Sequence, residues 1–417
     1  MGDLGMARFL LCWEFGGGLG HAGRLKPLAR LLMQRGHQVD LALRDIVHTR
    51  ALLSDLADLP GMRVLQAPVW LHQTVGLPEP LVSLTEILMG NGYLKADHLH
   101  GLVAGWRALM ALTQADVVVA DYAPTATIAA RSLNLPAASV GAGFYVPPDV
   151  SPLPPFRTWE PVPPARIVEG DKVVLRAVNT VLQDLGAAPC AKLVDIFRGD
   201  LPLLCTWPEL DHYRRGPLPD GQRYLGPTFL PESGDKPGHA GDEASHWPDL
   251  PGPKVFAYLR ASHPDHALVL RALDQAGCAT LCYLPEVAAG KPAPVSSPRI
   301  RYAAGPVHLG QTLPQAELMV SHGGEASLTQ ALLAGLPVLL LPTHAEQFLM
   351  AQRVEEAGAG LNAAAHARPV PFQTLLAQLV NEPRFRQGAQ ALAQSYAGFS
   401  HEAQTQELVE AIASLRS

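Results

Sequence analysis

Twice in this chain a short apolar run breaks on glycines, and a helical pattern starts directly after the break. The first case is Ala7–Phe15 followed by Gly16-Gly17-Gly18-Leu19-Gly20; the second is Leu318-Met319-Val320-Ser321 followed by His322-Gly323-Gly324. Short runs without polar alternation suit strands covered on both faces, and such strands belong to parallel sheets. After the first break Leu25, Leu28, Leu31 and Leu32 recur at helical spacing until Gly36, and Val39–Leu43 supplies the next strand. Strand, helix and parallel strand in succession is the unit from which doubly wound α/β folds grow.

The pattern continues on both sides of a change in composition. Strands are predicted at Met62–Gln66, Asp116–Ala120, Ala137–Val140 and Leu203–Thr206, then again at Val255–Leu259, Thr280–Tyr283, Ile300–Ala303 and Val338–Leu341. Between the two sets, Tyr224 to Pro253 is crowded with Gly, Pro, Asp, Glu and His, as an interdomain linker would be. With 417 residues the chain exceeds one ordinary core. The expected fold is α/β, with two tandem doubly wound Rossmann-like domains. Residues 1–223 form the first, 224–253 the linker, 254–395 the second, and 396–417 a C-terminal helix. The proline-rich segment from Pro147 to Pro164 is expected to be an extended surface loop, serving either as a passive connection or as a wall of a binding cleft.

Charge and cysteine content narrow the partners. Charged residues make up 17% of the chain, the formal net charge is −6, and no Lys/Arg-rich block occurs, which argues against nucleic acid and against a basic membrane-docking face. Cys12, Cys190, Cys205, Cys278 and Cys282 are scattered and odd in number, which suits buried thiols in a reducing compartment. Trp13-Glu14 cuts short the only apolar run near the N-terminus, and no stretch reaches transmembrane length, so a cytoplasmic protein without a transmembrane segment is expected. Peripheral membrane association stays open. His98 and His100 lack further ligands at metal spacing, and no metal is expected.

Chemistry concentrates in the second half. Where Leu318–Ser321 meets His322-Gly323-Gly324 and a helix from Glu325, several backbone N–H groups and a positive helix end face outward at the carboxyl end of a strand. Open α/β sheets bind ligands there. His322 adds a side-chain donor and Ser327 a hydroxyl, an assembly suited to a diphosphate. One crossing later, Glu346 and Gln347 bring a carboxylate and an amide, the pair that vicinal sugar hydroxyls require.

The run from Val320-Ser-His322-Gly323-Gly324-Glu-Ala-Ser327 through Ala334-Gly335-Leu-Pro337, then Pro342 to Glu346-Gln347 and Arg353-Val354 to Ala357-Gly358, resembles the donor-binding signature of the UDP-glycosyltransferase superfamily. The resemblance implies the GT-B fold, with the two domains facing each other across a cleft and the C-terminal helix packing back on the first domain. It implies an inverting enzyme of the bacterial type, similar to UDP-glucosyl- and glucuronosyltransferases, that moves a sugar from a UDP- or dTDP-sugar to a small acceptor. In that family His322 and the following amides would hold the diphosphate, Glu346 and Gln347 the sugar, and the segment at Val307-His308 the base. Gly18, Gly20, Arg260, Ser262 and Gln330 complete the donor-site candidates. Three departures stand out: Glu346 replaces the commoner Asp, Gln330 occupies the place of a ribose-binding Glu, and Leu259-Arg260-Ala261-Ser262 replaces a small-residue turn. Arg260 is either a diphosphate clamp or a surface arginine.

Inverting transfer needs a base for the acceptor hydroxyl, and a neutral imidazole suits neutral pH. His21 closes the first glycine loop, and Asp121 ends the run Val117-Val118-Val119-Ala120; neighbouring strands would let the carboxylate fix the imidazole tautomer. In the resembling family the catalytic His and its Asp occupy these two places. Trp70, Met89, Tyr93, Phe144 and Tyr145 are candidate acceptor-binding residues, with burial in the core as the alternative. Two other functions stay open. Gly18-x-Gly20-x-x-Gly23 with Asp45 also fits a dinucleotide-binding oxidoreductase, and a GT-B homologue that binds a nucleotide sugar without turnover has the same sequence signature. No tightly bound cofactor is expected, and a homodimer is compatible with the sequence.

Overall fold

The computed structural model describes residues 5–57, 59–219, 222–229 and 246–416. The chain divides into two units, Met1–Leu230 with Ser400–Ser417, and Pro231–Phe399. In the first, strands β1 (Arg8–Trp13), β2 (Gln38–Leu43), β3 (Met62–Gln66), β4 (Val117–Asp121), β5 (Ala137–Gly141) and β6 (Leu201–Leu204) form one sheet in the order β3-β2-β1-β4-β5-β6. In the second, β7 (Lys254–Tyr258), β8 (Ala279–Tyr283), β9 (Ile300–Tyr302), β10 (Leu318–Ser321), β11 (Val338–Leu340) and β12 (Gly360–Asn362) take the order β12-β11-β10-β7-β8-β9. Every pairing within both sheets is parallel.

The two sheets share one winding, read from opposite edges. Each starts at a central strand, adds two strands to one side, then returns to add three on the other. That is the doubly wound topology expected from the sequence. It creates a switch point between β1 and β4, and another between β7 and β10, where loops diverge and ligands bind.

Burial follows the apolar pattern. Leu10, Leu11, Cys12, Val117, Val118 and Val119 are fully buried, as central parallel strands covered by helices must be. The helix Gly20–Gln34 lays Leu25, Leu28 and Leu32 on the first sheet, and the C-terminal helix His401–Ser414 adds Leu408, Val409 and Ile412 to the same core. The C-terminal helix therefore belongs to the first unit, as expected. All five cysteines are buried and free, with Cys278 and Cys282 inside the second core.

Several boundaries differ from the sequence reading. Of the expected linker 224–253, residues 230–245 lie outside the described residues. Residues 224–229 are not a linker: the Leu225 N–H donates to the Leu204 carbonyl at 2.9 Å, and Gln404 Nε2 donates to the Leu225 carbonyl at 3.1 Å. Residues 246–253 pack within the second unit, where Arg299 Nη1 meets the Pro251 carbonyl at 2.8 Å. The expected strand Leu203–Thr206 begins earlier, because β6 pairs with β5 from Leu201; its Pro202 is tolerated on an edge strand. The proline-rich segment is only partly a surface loop. Leu153 and Phe156 are buried, and Asp171 accepts the Leu153 N–H at 2.8 Å.

Truncating Leu408 to Ala removes a fully buried side chain from the contact between the C-terminal and Gly20–Gln34 helices. The expected cost is about 2–5 kcal/mol. Chemical denaturation followed by far-UV circular dichroism checks it, through a lowered midpoint for the transition that involves the first unit.

Candidate active site

In the first unit the strand register does the positioning. Trp13 pairs with Asp121 at the carboxyl ends of β1 and β4, on the switch point. His21 enters in the first turn of the Gly20–Gln34 helix, and its Nδ1 lies 3.0 Å from Asp121 Oδ1. A carboxylate at that distance accepts a hydrogen bond from Nδ1–H, so Nε2 carries the lone pair. The imidazole stacks on Trp13, with centroids 5.1 Å apart and planes 17° apart, while Tyr122 and Tyr145 flank it at 6.3 and 5.0 Å. Tyr122 follows Asp121 at φ 49, a strained backbone for a residue with a Cβ.

The glycine loop meets the free nitrogen. A Cβ on Gly16 would sit 2.6 Å from His21 Nε2, and Gly16 holds φ +78, so both space and backbone demand glycine there. Residues 16–20, including Gly18 and Gly20, are exposed.

Asp121 is fully buried, which alone would raise its pKa; Arg24 first and His21 second outweigh burial and hold the carboxyl below its usual value. Arg24 Nη1 lies 2.8 and 3.0 Å from the two carboxylate oxygens. The sequence reading did not single out Arg24. The only signal was its place three residues after His21, on the same helix face.

Glu14 was also passed over, and its fate is opposite. It is fully buried, and Thr125 donates to it through its N–H at 3.0 Å and its hydroxyl at 2.5 Å. Burial pushes its pKa from the usual carboxyl range to about 8, although Thr125 and Arg44 pull it down. Thr125 also bonds the Tyr93 hydroxyl at 2.6 Å. Tyr93 is thus enclosed in the core, the alternative to its expected acceptor contact. Met89, Phe144 and Tyr145 are buried too, and Trp70 is half-buried between His72 and His98.

In the second unit β10 ends at Ser321 and runs into His322, with Gly323 at φ +79 and Gly324 opening the helix Glu325–Leu333 without a side-chain cap. Uncapped first-turn amides are groups that can hold an anion. His322 itself is arranged differently from the expected side-chain donor. Its Nδ1 lies 2.9 Å from the Leu341 carbonyl and its Nε2 accepts the Arg260 N–H at 2.9 Å, so both nitrogens are committed within the fold. Burial, then Arg260 and His344 against the Leu341 carbonyl, depresses its pKa, which keeps the ring neutral. His322 thereby ties the ends of β7, β10 and β11 together at the second switch point. The Arg260 side chain and Ser262 are exposed beside it.

The remaining donor candidates gather on neighbouring crossings. Ser327 Oγ donates to the Gly324 carbonyl at 3.2 Å, and Gln330 folds back on the Ala326 carbonyl at 3.0 Å. Glu346 and Gln347 stand in the first turn of the helix Ala345–Glu356, where Gln347 Oε1 accepts the Thr343 N–H at 2.9 Å. His308 caps a short turn at Leu309–Thr312, with Val307 half-buried before it. Among the described residues, no group of three or more His, Cys, Asp or Glu side chains is placed to hold a metal ion. None of the described helices is long and apolar enough to cross a membrane.

Residues 291–415 match the family described as Erythromycin biosynthesis protein CIII-like, C-terminal domain. Elloramycin glycosyltransferase ElmGT of Streptomyces olivaceus is 35% identical over 135 residues, 28% of this chain and 33% of that protein, so that match spans a third of its length. A PGL/p-HBAD biosynthesis glycosyltransferase of Mycobacterium tuberculosis is 25% identical over 337 residues, 75% of this chain and 74% of that one. The crystal structure of glycosyltransferase VinC in complex with dTDP superposes with a TM-score of 0.64 at 20% identity, covering 97% of this chain and 99% of that one.

The chain has the GT-B fold.

The GT-B fold does not favour the dinucleotide reading of Gly18, Gly20 and Gly23. Asp45, its expected ribose ligand, instead accepts the N–H groups of Val47 and His48 at 3.1 and 2.9 Å and closes its own turn.

Glu14 makes this GT-B chain sensitive to pH in a definite direction. Its folded pKa of about 8 lies above the unfolded value of 4.5, so the folded state keeps a proton that the unfolded state has lost. The stability this gives is complete below the unfolded pKa and drains away as pH rises towards about 8, by at most roughly 1.4 kcal/mol per pH unit. Glu14→Gln removes that dependence. Melting temperatures of variant and wild type across this range should diverge in the variant's favour as pH rises.

Proposed function

We infer that the chain is an inverting glycosyltransferase that moves a sugar from a UDP- or dTDP-sugar to a hydroxyl of a small apolar or aromatic acceptor. The contact that carries the reading is His21 Nδ1 on Asp121, which leaves Nε2 as the lone-pair nitrogen beside an exposed glycine loop. His21 Nε2 takes the acceptor proton while the oxygen attacks the anomeric carbon, and Asp121 steadies the resulting imidazolium. The sugar leaves its diphosphate as this bond forms, and its configuration inverts.

The second unit supplies the donor side in this reading. Amides at the start of the Glu325–Leu333 helix and the exposed Arg260 side chain offer positive charge where the leaving diphosphate gains negative charge, so a divalent cation is not required. Because His322 is neutral and tied on both nitrogens, we assign it to holding this turn in shape. Arg260 takes the side-chain cation role. Glu346 and Gln347 are assigned to the sugar hydroxyls. The dTDP complex of VinC and the glycosyltransferase names of the relatives support the donor class.

His21→Ala should lower sugar transfer by roughly 100- to 10,000-fold and leave the melting-temperature rise with UDP or dTDP unchanged. Gly16→Ala should do the same, since its Cβ would crowd Nε2 at 2.6 Å. Arg260→Ala should give the converse, a smaller nucleotide-induced rise. Transfer at the wild-type rate by His21→Ala would remove the base assignment. A wild-type protein that no nucleoside diphosphate stabilises would remove the donor assignment.

A further inference from the structure

Arg24 lies against the base and plays no part in the reading above. Its Nη1 sits 2.8 Å from Asp121 Oδ2 and 3.0 Å from Oδ1, and Oδ1 is the same oxygen that His21 Nδ1 meets at 3.0 Å. His21, Arg24 and Asp121 are 4%, 5% and 0% exposed, so water screens the trio weakly. Two donors therefore draw on one carboxylate oxygen, and one of them is permanently charged. Among the described residues of the first unit, the titratable groups facing His21 are Asp121 from β4, Arg24 from its own helix, and the phenols of Tyr122 and Tyr145 from the loops after β4 and β5; Trp13 of β1 covers the imidazole face. Arg24 also lies 5.9 Å from the Tyr145 ring centroid.

This arrangement bears on the proton transfer. When His21 takes a proton, the imidazolium finds a carboxylate whose charge is already shared with a guanidinium. It also stands near that guanidinium's own charge. A histidine backed by Asp121 alone would be helped more by its carboxylate. Such a base suits an acceptor that releases its proton readily.

We propose that Arg24 is a positioning residue of the base, fixing Asp121 and dividing its charge, and that it thereby matches the enzyme to acidic hydroxyls, phenols rather than aliphatic alcohols. The proposal rests on His21 being the base. In the step itself the phenol O–H proton passes to His21 Nε2, and the phenol oxygen forms the bond to the anomeric carbon. The bond from that carbon to the phosphate oxygen breaks, and the nucleoside diphosphate leaves with the electron pair. A phenol ionises at about pH 10, well below an alkanol, so its oxygen needs less help from the base.

The experiment measures kcat/KM against pH for substituted phenols of graded acidity and for an alkanol of similar size. It uses the full chain as wild type, Arg24→Lys, Arg24→Met and His21→Ala, with whichever of UDP-glucose and dTDP-glucose the wild type turns over. Wild type should prefer the phenol by roughly 100-fold or more, and Arg24→Lys should keep that ratio. Arg24→Met should narrow the ratio roughly tenfold and move the acid limb of the profile to higher pH. A wild type that prefers the alkanol overturns the proposal, as does an Arg24→Met protein with unchanged ratio and acid limb. If Arg24→Met fails to fold, the wild-type ratio decides alone, preference for the phenol supporting the proposal and preference for the alkanol ending it. Undiminished transfer by His21→Ala would instead overturn the base assignment beneath it.

Discussion

The carboxylate of Asp121 is a charge with no access to water, and the centre of the first unit is organised around keeping it ionised. An unpaired buried carboxylate costs several kcal/mol, so its neighbours are not optional. Arg24 and His21 supply the compensation, and they do so from one face of one helix, three residues apart. The parallel register of β1 and β4 brings that helix to the carboxylate by placing Trp13 beside Asp121. Trp13 then gives the imidazole a flat apolar surface to lie on.

Glu14, next along the chain from Trp13, shows the other solution to the same problem. Among the described residues it has hydroxyl and amide donors but no cation in direct contact with its carboxylate, and burial drives its pKa up to about 8. Two buried carboxyl groups at one end of one sheet thus hold opposite protonation states at neutral pH, set by their partners. The neutral one ties β1 to the turn after Asp121, and the charged one orients the imidazole.

The second unit repeats the winding of the first with different chemistry at its switch point. There the histidine is held neutral between two backbone groups, the Leu341 carbonyl and the Arg260 N–H, and it braces three strand ends. His263, which the sequence reading also passed over, packs against it at 5.3 Å, and burial lowers its pKa as well. Neutral imidazoles add no repulsion of their own when stacked, and they leave the exposed Arg260 side chain as the cation beside the glycine turn.

Local sequence determined much of this. Apolar runs ending on glycines set β1 and β10, helical spacing set the helices after them, and the strand at Leu318–Ser321 and helix at Glu325–Leu333 stand where their residues place them, because these signals lie within a few turns of chain. His21, Asp121 and the glycine turn at Gly323-Gly324 were legible as candidates for the same reason: each stands at the end of a strand or in the glycine-broken connection that follows one. Short or weakly patterned pieces such as Gly360–Asn362 carried no such signal. What only the tertiary structure decided was partnership. Arg24 reaches Asp121 across 97 residues and Glu14 reaches Thr125 across 111, while His322 turns inward to bonds that a motif cannot show. Hydrogen bonds and ion pairs depend on which side chains share an unscreened volume, and that volume exists only once the sheets have closed.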